Sequence, residues 1–508
     1  MPVRLVVGLL MLAGVAHGEG LGDRFRLKIS LTALYIGEQE SAATAATAQS
    51  ASLLSIGYGD LRVAFDATRL ASGFELHLDG RVRLTGEYAS NADGSQVSAR
   101  GYLGGREYEL RQLEVMRRGA KVDLQLGRVT VLEADGQKLD GLRVAWRFAR
   151  HWEGALFGGG APNPFSRSLT TDYAGAQVGG GLSVAYRYDR FWGWLGGSAT
   201  YLPGLDDGGK LDLANPVAAG QPERVRGFVT WVGYERPTKW LDLYHNLVLD
   251  LAGAAGVQLT RLDLFATARI KERVTIRLSY GHLSSLAIEM YLTSLLAARA
   301  DFSLARTVTN NLIVQRTARD QGRVNLEVHM GKLHVFGEGQ VRVRGLVDSG
   351  ADPQFVVAGT TDPVAPRLAW DATVGLRDSG SWRGVRGTLA YTYLADYRSQ
   401  SHVLDLQLGR SFFDDRLSFD GAFLWAKTRD AGVGGSCATV DTTLPAAVLA
   451  PACFGTRDGN SYELGLTVTV NPQRHWFALL DYRLVMNQTE AHPLIVTHVL
   501  LARIEARY

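Results

Sequence analysis

Two side chains near the middle of the chain have types and spacing suited to acyl chemistry. His282 and Ser284 stand two residues apart in a segment of alternating residues, so in an extended strand both would lie on one face. A histidine beside a serine can accept the hydroxyl proton and activate the oxygen as a nucleophile. No acid or amide that would orient the histidine is identified. The pair is therefore only a remote catalytic candidate, and we expect the protein not to be an enzyme.

The two cysteines, Cys437 and Cys453, lie in one polar stretch. In an exported protein we expect them to form a disulfide, which would contribute on the order of 3 kcal/mol by closing the loop between them. A metal site would need more cysteine or histidine nearby, and the scattered histidines have no dependable ligand spacing. The chain also has no C-x-x-C-H haem-attachment motif. We therefore expect no metal and no cofactor.

Charged residues that alternate with apolar ones are the candidates for the lining of a pore. They are Arg24, Arg26, Lys28, Glu75, Asp79, Arg81, Arg83, Glu338, Arg342, Arg344, Arg503, Glu505 and Arg507. Those near the two ends of the chain would form a basic cluster that favours anions. Alternatively, arginines and acids would neutralise one another across strands. Arg81 and Arg83 beside Asp79 fit the second interpretation better. So do Arg342 and Arg344 beside Glu338.

The segments that would position these side chains are long strands. From Phe74 to Tyr88, apolar or small residues alternate with polar or charged ones. This strand is much longer than the roughly 5–6 residues of a typical globular strand, and it is long enough to cross a bilayer, which takes about 9–11 residues. The same alternation recurs at 25–35, 385–397, 417–425 and 462–470.

Short polar turns alternate with longer loops along the chain and give about 22 strands, within a range of about 18–24. Near Gly331 the apolar phase flips. We interpret this as a β-bulge in a strand over 323–347 that follows a turn at 318–322. The sequence thus predicts an all-β fold: a single transmembrane, antiparallel, up-and-down β-barrel with short periplasmic turns and longer extracellular loops.

Both ends of the chain carry features of exported proteins. Residues 1–18 have a basic start, an apolar core and a small-residue cleavage site, which predicts a cleaved signal peptide and leaves 19–508 as the barrel domain. Leu500, Ile504 and Tyr508 share one face of the last strand. This strand, which ends in an aromatic residue, resembles the insertion signal that outer-membrane barrels present to their assembly machinery.

Together these features resemble the porin-like β-barrels of the bacterial outer membrane, at the level of the class. The resemblance implies Sec-type export through the periplasm to the cell outer membrane. It also implies contact with outer-membrane lipid and lipopolysaccharide, and with the barrel-assembly machinery. A net charge of +3 is too small to indicate nucleic-acid binding.

The function expected from this class is a channel for passive passage of small hydrophilic solutes, with a mild preference for anions. An alternative is a barrel sheath around a periplasmic partner protein, as part of an export or electron-transfer conduit. A remote alternative follows from His282 and Ser284, because an outward His-x-Ser pair resembles the catalytic pair of outer-membrane phospholipase A and lipid A deacylase. The protein would then be a surface lipid hydrolase.

Two further patterns predict where side chains lie. Nine aromatic residues are expected in the periplasmic membrane interface: Trp146, Phe148, Trp152, Tyr186, Tyr188, Trp192, Trp231, Tyr234 and Trp240. The hexapeptide DLQLGR occurs at Asp123–Arg128 and Asp405–Arg410. The strand count places the two copies on strands of opposite direction, with both arginines outward at opposite ends of the barrel.

Overall fold

The structure is a computed structural model. It describes residues 25–40, 51–68, 70, 73–90, 96–97, 106–160, 178–201, 225–252, 256–271, 273–283, 319–344, 368–396, 399–430, 459–473, 475–489 and 494–507. No helix within these ranges is long and apolar enough to span a membrane.

The described residues form twenty-two long strands, numbered here in chain order. They are β1 Phe25–Glu40, β2 Ala51–Ala67, β3 Phe74–Ser90, β4 Arg106–Arg118, β5 Val122–Val131, β6 Gln137–Ala149, β7 Trp152–Gly160, β8 Val178–Tyr188, β9 Phe191–Tyr201, β10 Val225–Thr238, β11 Leu241–Ala252, β12 Gly256–Ile270, β13 Val274–Leu283, β14 Arg319–Met330, β15 Leu333–Arg344, β16 Leu368–Trp382, β17 Val385–Ala395, β18 Ser399–Phe412, β19 Leu417–Asp430, β20 Gly459–Gln473, β21 Trp476–Thr489 and β22 Ile495–Arg507. A two-residue strand, Gln96–Val97, pairs with the end of β3.

The strands close into a barrel. Each pairs antiparallel with the next in chain order, and β1 also pairs with β22 from Lys28↔Arg507 to Glu40↔Ile495. Closure leaves no first or last edge strand among the described strands, as a strand structure in hydrocarbon requires. The predicted antiparallel up-and-down barrel with twenty-two strands is confirmed.

The two faces of the wall differ in chemistry. In β11, Leu243, Leu247 and Leu251 point to one side, and Asp242 and Asn246 point to the other. The apolar side is exposed around the barrel: Leu126 is 61% exposed, Leu182 57% and Val374 61%. Such a continuous apolar band is disfavoured in water and is the surface that lipid covers in a transmembrane barrel. This band is therefore the outer face, and the polar side is the inner face.

One pair of strands differs from the sequence prediction. The predicted turn at 318–322 falls on residue 318, outside the described part, and on the start of β14. The predicted bulge at Gly331 is a hairpin turn at 331–332 between β14 and β15. The phase flip at Gly331, which has a φ of 69°, thus marks a reversal of the chain. One turn was predicted where a strand begins, and one real turn was predicted as a bulge. The predicted number of strands is therefore still correct.

The two copies of DLQLGR lie on β5 and β18, the fifth and eighteenth strands, which run in opposite directions. This part of the prediction is confirmed. Arg410 is on the outer face, with its guanidinium 4.9 Å from the centre of the Phe412 ring. Arg128 does not face lipid: it lies where β5 leaves the wall.

Candidate permeation pathway

Three neighbouring strands, β2 to β4, carry a network of ion pairs on the inner face. Arg62 donates Nε and Nη2 to the carboxylate oxygens of Asp79 at 2.8 and 2.6 Å. Arg81 pairs with Asp60 and lies 3.5 Å from Glu109. Arg81 and Glu109 are directly paired on neighbouring strands, whereas Arg62 lies diagonally from Asp79 and Arg81 diagonally from Asp60. Charges therefore neutralise one another across strands here.

The other predicted residues of β3 follow the same rule. Arg83 lies 3.5 Å from Asp60, and Glu75 lies 3.2 Å from Arg118 and 3.6 Å from His77. All four predicted residues of β3 are therefore brought into contact with charged or titratable partners, three of them mainly on neighbouring strands.

A second cluster lies at the seam between β1 and β22. The Glu505 side chain is fully buried and contacts three cations: Lys28 at 3.1 Å, Arg503 and Arg507. Arg26 is exposed near the same rim. The cluster has three cations for one carboxylate, so both interpretations of the sequence contribute: the acid is neutralised and an excess of positive charge is left.

The predicted group on β15 is divided among several partners. Glu338 pairs with Arg323 at 2.6 Å, whereas Arg342 lies 3.7 Å from Asp371 and 4.0 Å from Asp396. Arg342 therefore pairs with acids on and beyond β16 and not with Glu338. The side chain of Arg344 lies outside the described part.

The remaining predicted sites are only partly described. Leu500 and Ile504 are 40% and 50% exposed on the outer face, and their role in an insertion signal stays a prediction. Arg24, Ser284, Cys437, Cys453, Tyr508 and the signal segment 1–18 lie outside the described residues, so their assignments stay predictions.

The end of the β5–β6 hairpin leaves the wall and lies inside the barrel. Gly127 has a φ of 124°, a conformation that L-residues with a side chain rarely adopt. A Cβ at this position would overlap the carbonyl oxygen of Leu113. Beyond this bend, residues 128–140 form what we call the inward hairpin, whose tip is a 3₁₀ turn and a left-handed residue, Asp135.

Contacts with distant strands place the tip inside. The Thr230 hydroxyl of β10 donates to the carbonyl oxygen of Glu133. Arg261 of β12 lies 3.3 Å from Asp135. Thr230 is 2% exposed and alternates with Trp231, which is 48% exposed on the outer face. The tip therefore docks on the inner face of strands that are not its neighbours in the wall.

Apolar packing holds the inward hairpin against β7. Val129, Val131 and Leu139 are 1–2% exposed and cluster with Phe157, which is 7% exposed. Buried side chains of this size each contribute roughly 1.5–3 kcal/mol. The hairpin is therefore fixed in place by a small core of its own.

The backbone of the tip lies close to β9, and two acidic side chains of the tip are partly buried. A Cβ on Gly196 of β9 would lie 2.6 Å from the carbonyl oxygen of Glu133, so only glycine fits without displacement. The Glu133 carboxylate pairs with Arg143 of β6. Burial raises the pKa of the Asp135 carboxyl, and the Arg261 guanidinium opposes that shift.

The opposite side of the inward hairpin carries charge. Arg128 donates Nε and Nη2 to Asp140 at 2.7 and 2.6 Å and Nη1 to the carbonyl oxygen of Leu110. Lys138 lies in the electrostatic field of Glu109 and Arg111 of β4. The prediction that Arg128 points outward is therefore wrong, because alternation does not anticipate the bend at Gly127.

Four aromatic residues stand side by side on the inner face of β9 to β12. Trp192 pairs with Tyr234, Tyr234 with Tyr244, and Tyr244 with Phe265. We call these four the aromatic row. Trp192 and Tyr234 were expected in the outer interface, and this prediction is wrong: their alternation partners, such as Leu195, are the outward residues. The sequence did contain a usable signal. Leucines at alternate positions of β11 mark its outward residues, and strand pairing then decides which residues of the neighbouring strands face inward.

One group of side chains has metal-ligand types. Glu327, His329 and His334 lie around the β14–β15 turn, with ligand atoms within 4.8 Å of one another. Glu327, however, lies 3.6 Å from Arg277 and 4.0 Å from Arg377. Two guanidinium groups beside the carboxylate disfavour a divalent cation there. The sequence pattern does not reveal this group, because the turn that brings its members together was predicted as a bulge.

The remote catalytic candidate gains a partner. His282 of β13 lies on the outer face, and its Nδ1 is 2.8 Å from Oδ1 of Asp320 on β14. The Tyr280 hydroxyl donates to the same oxygen at 2.7 Å. Sequence alone did not find this acid because Asp320 is paired in space and 38 residues away in the chain.

Three solved structures are similar over nearly the whole chain at low sequence identity. Acinetobacter baumannii OccAB4 has a TM-score of 0.39 and 8% identity, covering 97% of this chain and 100% of that one. Pseudomonas aeruginosa OccK2 (OpdF), in complex with glucuronate, has 0.41 and 10%, covering 95% and 98%. Pseudomonas aeruginosa OpdK with vanillate has 0.39 and 8%, covering 96% and 100%. No family model and no curated protein matches the chain.

Proposed function

We propose that this protein is an outer-membrane channel for the passive passage of small hydrophilic solutes, with the inward hairpin as its constriction. It would reach that membrane by Sec-type export and contact lipopolysaccharide and the barrel-assembly machinery. Its inner face, lined by paired charges, would be wetted by water and hydrophilic solutes, and its apolar outer face would meet lipid.

The inward hairpin is the observation that carries this proposal. A barrel of this strand number has a lumen too wide for its wall side chains to fill. A hairpin anchored by Thr230, Arg261 and the cluster around Phe157 narrows that lumen. It also occupies space that a partner protein would need, which favours the channel over a barrel sheath.

Removing the inward hairpin tests the proposal. Arg128 and Asp140 are directly paired, so an Asn-Gly turn can replace residues 129–139 and close a two-residue hairpin at that register. Single-channel conductance in planar bilayers should rise at least about twofold, because the narrowest part of the pore is gone.

A matched control keeps the hairpin. Leu132→Ser changes a tip side chain that is 62% exposed and preserves the backbone anchor and the ion pairs, so its conductance should equal that of the wild type. A wild-type barrel that inserts and does not conduct would contradict the channel. Equal conductance with and without the hairpin would contradict its role as the constriction.

A second candidate function is favoured by one contact. His282, held by Asp320 on the neighbouring strand, has the orienting acid that a histidine base requires. It would take the Ser284 hydroxyl proton while the oxygen attacks a lipid ester carbonyl. The alcohol would leave with that proton, and water would then hydrolyse the acyl-enzyme. Purified protein should be assayed for fatty-acid release from phospholipid and lipopolysaccharide. Activity that is absent, or that survives Ser284→Ala, would remove this candidate.

A further inference from the structure

The aromatic row exposes apolar rings on a face that is mostly polar. Trp192 is 36% and Phe265 48% exposed, although both belong to the inner face. Ring centroids are 5.9 Å apart for Trp192–Tyr234 and 5.7 Å for Tyr244–Phe265. Exposed aromatic surface of this kind is unfavourable in water. Exposed rings on a wetted wall therefore point to a ligand with an apolar face.

Hydrogen-bonding groups border the row on both sides. On the short-turn side, Asp242 accepts from Tyr234 Oη at 2.7 Å and from Arg236 Nε at 2.6 Å, and it also pairs with Arg269. These groups lie next to the rings and along their edges. A ligand that stacks on the row would meet donors and acceptors at its rim.

The other side of the row has the same character. Arg261 pairs with Asp263 at 2.5 Å and reaches Asp135 of the inward hairpin at 3.3 Å. Asn246 is 6% exposed and donates to Asp263 at 3.5 Å, and its Oδ1 has no hydrogen-bond partner among the described residues. The row thus leads from the short-turn rim to the anchor of the constriction.

The charges along the row favour a neutral ligand. Arg236 and Arg269 share Asp242, and Arg261 is held between Asp263 and Asp135. An anion would have to compete with these carboxylates for the guanidinium groups. Hydroxyl groups can instead donate to the carboxylates and accept from the guanidinium edges while each pair stays intact.

The dimensions of the row suit linked rings. Three strand spacings of about 4.8 Å give a row of roughly 14 Å, the reach of two or three sugar rings. The row follows the hydrogen-bonding direction, which is oblique to the barrel axis because barrel strands tilt by about 35–45°. A ligand on the row would therefore move along the axis as it passes from ring to ring.

We propose that the aromatic row is a binding lane for neutral sugars, which stack the C–H faces of their rings on the aromatic side chains and hydrogen-bond through their hydroxyls to the flanking Asp–Arg pairs. This inference deepens the proposed channel function and rests on it. The row would let the channel retain and guide short neutral oligosaccharides past the inward hairpin.

Current recordings with maltotriose as the probe test the lane. Added to single wild-type channels in planar bilayers, maltotriose should interrupt the ion current with a saturable concentration dependence. Phe265→Leu keeps an apolar side chain and removes the flat ring, so it should weaken binding about tenfold. Trp231→Leu changes an outward aromatic of β10 and should leave maltotriose binding unchanged.

A failure of the sugar lane can be distinguished from a failure of the channel function. Conducting channels that maltotriose does not interrupt would overturn the lane and leave the channel function standing. So would equal interruption by a polyethylene glycol of the same size, which indicates sieving, or by gluconate alone, which indicates an anion site. If the barrel does not conduct, the proposed function fails. The quenching of tryptophan fluorescence by maltotriose in detergent then tests the site, with Trp192→Phe losing the signal and Trp231→Leu keeping it.

Discussion

At the scale of single residues, Gly196 decides whether the hairpin tip can reach the wall. Its missing side chain leaves room for the Glu133 carbonyl, whereas a Cβ on the adjacent Gly197 would have nothing within 4 Å. Gly196→Val should displace the tip and raise single-channel conductance toward that of the variant without the hairpin. Gly197→Val, on the outer face of the same strand, should conduct like the wild type. If Gly196→Val conducts normally, the tip is not docked at this position.

The stability of the seam between β1 and β22 depends on the charge of Glu505. Its fully buried carboxylate contacts Lys28, Arg503 and Arg507, which are themselves 40–59% exposed. Glu505→Gln would leave three neighbouring cations without the one carboxylate that contacts all of them. Because those cations keep access to water, we expect a loss of about 2 kcal/mol, below the usual cost of breaking a fully buried pair.

Urea unfolding of the purified barrel, followed by tryptophan fluorescence, measures this loss. The control is Glu463→Gln, since Glu463 is 26% exposed, pairs with Arg483 at 3.2 Å and lies away from the seam. A partly exposed pair of this kind should contribute less than about 1 kcal/mol. Equal losses in the two variants would mean that the seam has no special dependence on Glu505.

At the scale of elements, one hexapeptide adopts two conformations. In the first DLQLGR copy, Gly127 has a φ of 124° and begins the inward hairpin. In the second copy, Gly409 lies in regular β18, where an added Cβ would meet only the movable side chains of Asp420 and Arg386. The bend is therefore set by tertiary contacts, the cluster around Phe157 and the anchor at Thr230, and not by local sequence.

This difference predicts opposite effects of the same substitution. Gly127→Ala places a Cβ at a disfavoured φ and against the Leu113 carbonyl, at a cost of about 1–3 kcal/mol, and should loosen the inward hairpin. We expect a lower urea midpoint and a higher, noisier conductance. Gly409→Ala should need only a rotation of Asp420 and should match the wild type in both measurements. Wild-type behaviour of Gly127→Ala would show that the bend does not depend on glycine.

Alternation explains what the sequence could and could not predict. Strands with a strict two-residue period, such as β3 and β22, have their inward and outward residues where the pattern placed them, because one face must be apolar throughout. The pattern carries no information about depth in the lumen. It therefore missed the inward hairpin, the pairing of His282 with Asp320, and the true phase of Trp192 and Tyr234. The hairpin tip is held by β10 and β12, which lie far along the chain, and His282 and Asp320 are 38 residues apart in the sequence. The phase of Trp192 and Tyr234 follows from their pairing with neighbouring strands, which the pattern within one strand does not show.

At the scale of the whole molecule, opposite charges occupy different sectors of the inner wall. The sector at the seam between β22 and β1 has cations in excess, with Lys28, Arg503 and Arg507 around one acid, and the inward hairpin adds Lys138. The sector from β18 to β21 is acidic, with Asp405, Asp420, Glu463 and Asp481 lining one cavity. Because the two sectors partly offset each other, we expect only a mild preference for anions.

The position of a charge relative to the constriction should decide how much it contributes to that preference. Lys138 lies on the inward hairpin, whereas Arg386 lies near the wide short-turn rim, 3.3 Å from Asp420. Lys138→Gln and Arg386→Gln each remove one positive charge, but focusing of the field is strongest where the lumen is narrowest. In a potassium chloride gradient, Lys138→Gln should shift the reversal potential toward cation preference by more than Arg386→Gln does. A cation-selective wild type would contradict the anion preference itself, and equal shifts in the two variants would place the selectivity-determining region away from the inward hairpin.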